Sequence, residues 1–213
     1  MNNKEKVNRI LIYLIGMLIL AFGLTLYSET DLGTSALTAL PLVVSELSGI
    51  SLGNTMFALY FIFVICELAI THDRRTAPVY LMQIPVSIVF TRVMDIIDLM
   101  IDLTGSSIYL RLFCMLLSVV CIGVGACLGL RMRVVANPGD GFVQTIAEWR
   151  DKPLGNTKNF VDISFVIIAA AVSLLTLHRL AGVGIGTVMS MLGVGRVIAV
   201  TNWLCDRAGI KKY

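Results

Sequence analysis

The chain has 213 residues, of which 57% are hydrophobic and 15% charged, with a formal net charge of +3. Its mean hydropathy of +0.85 is above that of an ordinary soluble domain, which excludes a water-soluble globular protein as the frame. The ten-residue alternation of a membrane β-barrel is absent. The small positive charge signals no nucleic-acid partner, because its distribution has a topological cause.

A transmembrane helix needs about 20 mostly apolar residues, and the sequence predicts six, with two shorter segments between them. The first, residues 10–28, follows Lys4, Lys6 and Arg9. That basic start is also found on signal peptides, but the apolar run is too long and Tyr27-Ser28-Glu29 is no small-x-small cleavage site, so an uncleaved helix is expected. Next comes a Gly turn at Asp31-Leu32-Gly33, with Thr34 or Ser35 as helix cap, and an apolar segment over residues 35–48 too short to cross. Spans two and three are expected at 55–71 and 79–97, and span four at 109–130. The turn Asn137-Pro138-Gly139 then leads, through Asp140 as cap, into a second short segment over 140–150. Spans five and six occupy 160–177 and 183–204.

The two halves echo each other. Leu52-Gly53-Asn54-Thr55 returns as Leu154-Gly155-Asn156-Thr157, Gly23-Leu24 as Gly129-Leu130, Gly33 as Gly139 and Arg92 as Arg196, at spacings of 102 to 106 residues. With the N-terminus inside, thirteen basic residues fall on the cytoplasmic side: Lys4, Lys6, Arg9, Arg74, Arg75, Arg131, Arg133, Arg150, Lys152, Lys158, Arg207, Lys211 and Lys212. Only Arg111 and Arg179 fall outside. The basic-residue bias therefore predicts six spans with both termini cytoplasmic. Three spans per copy is an odd number, so the second copy is inverted. The expected architecture is all-α: a single membrane domain over 1–213, built of two inverted three-helix repeats at 9–104 and 109–207, each with a short helix after its first span.

Two readings of the short segments compete. Either each lies on a membrane surface, or each is a half-helix that dips into the bilayer and stops. The second is favoured, because broken helices at matching places in inverted repeats mark a transporter's midplane site. Their free amide ends suit a polar or anionic ligand. Thr34, Ser35 and Thr38, with Asn137, Asp140 and Gln144, are thus the candidate substrate-binding residues.

Arg92 and Arg196 sit inside spans, where a charge needs a partner. Asp95, three residues after Arg92, offers a local one; the competing reading makes the two arginines a pair lining the pathway. Arg196 has no acid three or four residues on. Glu67 and Asp162, also within spans, could carry a coupling proton or supply a counter-charge, as could Asp95. The glycines of 182–195, and Gly125 with Gly129, read as helix packing or hinges, not as a dinucleotide loop. The five cysteines show no C-x-x-C spacing and read as buried packing. His72 and His178 read as interfacial. No metal, cofactor or enzyme motif is present.

Several motifs resemble those of the YczE/YitT-like bacterial integral membrane proteins across nearly the whole chain. They are Asp31-Leu32-Gly33, Ser51-Leu52-Gly53, Gln83-Ile84-Pro85-Val86-Ser87 leading to Asp95, Pro138-Gly139-Asp140-Gly141 and Gly184-Ile185-Gly186-Thr187. The resemblance implies the fold and the bacterial cytoplasmic membrane. The chain departs from it at Thr34-Ser35-Ala36, where similar proteins carry a Pro-Trp-Asp-like stretch, and at Arg196, where they have proline after Gly195. Both departures touch the candidate site, so no shared ligand is implied.

The expected function is a small secondary transporter of a polar or anionic solute working by alternating access. The alternatives are a substrate-capturing subunit energised by a separate ATPase and a non-transporting accessory or regulatory protein. Expected partners are the bilayer and an unidentified small solute, with homodimer formation left open.

Overall fold

The computed structural model describes residues 3–71 and 77–210, with side chains from Glu5 onward. Arg74, Arg75, His72, Lys211, Lys212 and the Lys4 side chain, on which part of the charge argument rests, lie outside the described residues. The described chain is all-helical: α1 (Asn3–Glu29), α2 (Ala36–Ser48), α3 (Leu52–Thr71), α4 (Ala77–Leu81), α5 (Gln83–Asp98), α6 (Ile108–Met132), α7 (Pro138–Trp149), α8 (Leu154–Thr176) and α9 (Ile185–Arg207). Among the described residues, six helical stretches are long and apolar enough to cross a membrane, with α4 and α5 together making the third. The protein is a polytopic α-helical membrane protein, and its exposed leucines, isoleucines and valines suit a lipid surround.

The expected third span is interrupted. Met82 is a turn between α4 and α5, and Pro85 supplies the reason. Its ring has no N–H for the carbonyl of Leu81 four residues back, and clashes with it. Elsewhere helices extend past the apolar runs, among them α8. It begins at Leu154, which puts Lys158 inside a helix and not in the expected loop.

The chain forms two compact units. One gathers the described residues of Met1–Ser35, Ile96–Val134 and Gly184–Tyr213. In it α1 packs along α6, and α6 along α9. Glycine permits the α1–α6 contact: a Cβ on Gly125 would come 2.6 Å from the Gly16 carbonyl oxygen, and one on Gly16 would come 2.8 Å from Leu128 Cβ. The N-terminal end of α1 meets the C-terminal end of α6, where Arg9 donates to the Met132 carbonyl at 2.6 Å. The buried Arg131 ties that same end to α9 and to the residues just beyond it, donating to Asp206, to Asn202 and to the Ile210 carbonyl. Gly184 and Gly186, at the start of α9, meet the turn after α1 backbone to backbone. Gly186 N donates to Leu32 O at 2.8 Å, the Tyr27 hydroxyl donates to Gly186 O at 2.5 Å, and Gly33, at φ +107°, has no room for a side chain against Gly184 N.

The other unit comprises Ala36–Asp95 and Val135–Val183. Within it α2 packs on α8 and α3, while α7 packs on α3 and α8. This unit holds both short helices.

Candidate functional site

Helices α2 and α7 have 13 and 12 residues, hence lengths of about 18–20 Å at 1.5 Å per residue, well short of a hydrocarbon layer of about 30 Å. Neither lies apart from the other helices. On α7, Pro138, Gly139, Gly141, Val143, Thr145 and Ala147 are buried, and Phe142 stacks on Phe63 of α3 with ring centroids 4.3 Å apart. Phe165, at the centre of α8, meets the same Phe63 edge-on at 5.6 Å.

Helix α7 starts against the middle of α3, and both short helices run toward the C-terminal end of a long one. At the start of α7, Asn137 hydrogen-bonds with Tyr60, near the middle of α3. Four residues on, Gly141 lies against Glu67, close to the end of α3. In α2, Ala39 and Val43 pack with Ala169 of α8, and Glu46 pairs with Arg179, just beyond the end of α8. The two starts touch: a Cβ on Gly139 would stand 3.0 Å from Leu37 Cδ1.

The turn before α7 is built by its own residues. Asn137, not Asp140, is the N-cap, and its side chain accepts from Gly139 N at 3.0 Å. Pro138 takes the first helical position, where its missing N–H costs nothing. Asp140 thus falls inside the first turn, a favourable place for a negative charge. Lys158 of α8 reaches Asp140 at 3.9 Å and Asp162 at 3.8 Å, joining two of the candidate acids. Gln144 donates to Glu148 at 2.8 Å on an exposed face.

Glu67 is fully buried, as is Gln83, whose Nε2 donates to Glu67 Oε2 at 2.8 Å. Both press on the backbone of α7: a Cβ on Gly141 would lie 2.7 Å from Glu67 Oε1 and 3.0 Å from Gln83 Nε2. Only glycine leaves room for the pair at this position.

Arg92 forms a different node in the same unit. It donates to Asp95 Oδ2 at 3.1 Å and to Asn54 Oδ1 at 2.7 Å, while Asp95 Oδ1 accepts from Gly53 N at 2.9 Å. The first copy of the repeated tetrapeptide is therefore a docking point of α3 on α5. A Cβ on Gly53 would collide with Asp95 and the Thr91 carbonyl, whereas around Gly155 in the second copy there is open space.

Thr38, Asn137, Asp140, Gln144, Arg92, Glu67, Asp162 and Asp95 belong to the unit with both short helices; Thr34, Ser35 and Arg196 belong to the other. The Thr34 hydroxyl is buried without a hydrogen-bond partner. Sequence reasoning missed Gln83, Tyr60, Gly141 and Lys158 as site residues. A glutamine in an apolar stretch just before a proline was the available signal for the first, and a lysine one turn into an apolar run for the last.

Residues 7–202 match the model of DUF6198, described as a family of unknown function. The chain is also 26% identical over 205 residues to "Uncharacterized protein YyaS" of Bacillus subtilis (strain 168), covering 94% of this chain and 95% of that protein. No solved structure matches it. The chain belongs to the DUF6198 family.

Proposed function

We propose that this DUF6198 member is a small secondary transporter of the bacterial cytoplasmic membrane. It carries a polar or anionic solute by alternating access between two inverted three-helix repeats, with both termini cytoplasmic. The single observation carrying this reading is the meeting of two short helices, Leu37 against Gly139, beside the middle of the apolar helix α3. Broken helices whose N-terminal turns converge at mid-depth are the arrangement by which transporters offer backbone donors to a solute. The matched placements, α2 along α8 and α7 along α3, support the repeat. The N-terminal end of α1 beside the C-terminal end of α6 supports the topology read from the basic residues. The motifs running from Asp31 to Thr187 support a kinship with the YczE/YitT-like proteins.

In this reading Asp140, Lys158 and Asp162 supply the charge of the site, and Thr38 and Asn137 its neutral polar groups. The test uses purified protein in liposomes with a panel of small sugars, amino acids, carboxylates and inorganic anions. Wild type is expected to take up at least one of them, and Asp140→Asn to lose at least ten-fold of that rate. Absence of flux for the whole panel, with no ligand-dependent thermal shift, would reject transport. Equal flux in wild type and variant would move the site elsewhere.

A further inference from the structure

We infer that the coupling ion of this transport is a proton, held between Glu67 and Gln83 in a reciprocal acid–amide pair against Gly141. The inference takes its purpose from the transport reading, but its chemistry stands on the side chains alone. Gln83 Nε2 donates to Glu67 Oε2. That leaves Glu67 Oε1 and Gln83 Oε1, both buried and both without a donor. Both lie close to Gly141, 2.7 and 3.5 Å from where a Cβ on it would stand. Two orphaned buried acceptors are each destabilising, and one proton removes both penalties. Placed on Oε1, it makes Glu67 a neutral acid whose hydroxyl donates to Gln83 Oε1, and every oxygen of the pair is then satisfied.

Charge accounting agrees. An ionised carboxylate out of water needs a cation or several donors. Among the described residues no lysine or arginine pairs with Glu67. The titratable groups on the surrounding elements are engaged elsewhere. On α2 Glu46 pairs with Arg179, and on α4 Tyr80 bonds to Thr71. On α5 Asp95 holds Arg92. On α7 Asp140 pairs with Lys158, and Glu148 accepts from Gln144. A hard metal cation is a poorer occupant, since calcium and magnesium take about six oxygens or more and only two lack donors here.

In the transport reading, movement of α7 reaches the pair. Gly141 is in the first turns of α7, so a shift of that short helix admits water to Glu67. The proton then passes from Oε1 to water, leaving a carboxylate. Return of α7 requires a proton to be taken up again, from whichever side is then open. A buried acid under a movable half-helix is thereby a proton carrier.

Infrared difference spectroscopy of the full-length protein tests this. Wild type at neutral pH should show a protonated-carboxyl C=O band that vanishes in Glu67→Gln, moves on transfer to D₂O within minutes, and shifts in Gln83→Met, where the amide partners are gone. A spectrum in which Glu67→Gln removes no such band overturns the proposal, as does a band indifferent to Gln83→Met or unmoved after a day in D₂O. The Gln83 and D₂O arms decide the matter even if the Glu67 variant does not fold. Liposomes with an inward proton gradient separate this inference from the transport reading. Wild type should accumulate an active solute of the panel several-fold, and Glu67→Gln should only equilibrate it. Equal accumulation in both overturns proton coupling and leaves transport standing. A correct infrared result with no flux and no ligand-dependent thermal shift for the whole panel overturns transport and leaves the protonated pair.

Discussion

Asp95 does two things at the start of α3: one oxygen accepts the Gly53 amide and the other holds Arg92. The first N–H groups of a helix have no partner within it, so losing that acceptor costs about 1–3 kcal/mol. Arg92 is different. Its side chain is 54% exposed, and an exposed ion pair contributes about 0–1 kcal/mol. Asp95→Ala should therefore lower the thermal unfolding midpoint of the purified protein clearly more than Arg92→Ala does. Equal losses would mean that the arginine, and not the amide contact, holds α3 on α5. The Arg92–Asp95 contact was legible in the sequence because three-residue spacing places both on one helix face. The Glu67–Gln83 contact was not, because its partners lie on different helices and only the fold brings them together. The same holds for Gly141: its flanking turn was readable, but its need to be glycine comes from a carboxyl on α3.

Among the helices, Gly125 and Gly129 formed one G-x-x-x-G motif in the sequence, and the structure separates them. A Cβ on Gly125 would enter the backbone of α1 at Leu20 and Gly16, while around Gly129 nothing lies within 4 Å. Replacing a mid-helix glycine by alanine gains about 0.5–1 kcal/mol from the backbone alone. Overpacking a close contact costs about 1–3 kcal/mol. The gain wins at Gly129 and the clash at Gly125. Gly129→Ala should raise the unfolding midpoint slightly, and Gly125→Ala should lower it. A common direction for both would show that α1 and α6 do not cross at Gly16 and Gly125. The six long helical stretches were readable, since they follow from apolar length, but the break at Met82 was not. Nor were the helix ends. The cap moved from Asp140 to Asn137 because the proline occupied the first helical position, and α8 started before its apolar run because Pro153 precedes a stretch that helix geometry accepts without apolar residues.

At the scale of the whole chain, the decisive property is the sidedness of the repeated tetrapeptide. Its first copy opens α3 and its second opens α8. If the three-span unit is inverted, α3 enters the membrane from outside and α8 from the cytoplasm, so Asn54 and Asn156 face opposite compartments. The contacts already constrain part of this. Arg9 at the start of α1 meets the end of α6, and Arg131 at the end of α6 meets the end of α9. With α1 crossing outward, α6 and α9 must both cross inward, as the fourth and sixth of six spans do. If every one of the six stretches spans, α8 crosses outward between them, and α3, one span after α1, inward. Single cysteines at positions 54 and 156, in a background whose five native cysteines are serine, convert that deduction into a measurement. A membrane-impermeant thiol reagent applied to intact cells should label position 54 and leave position 156 untouched until the cells are opened. Labelling of both from outside would mean that the copies share one orientation. The half-helix starts would then have no reason to converge from opposite faces, and solute passage between repeats would lose its geometric basis.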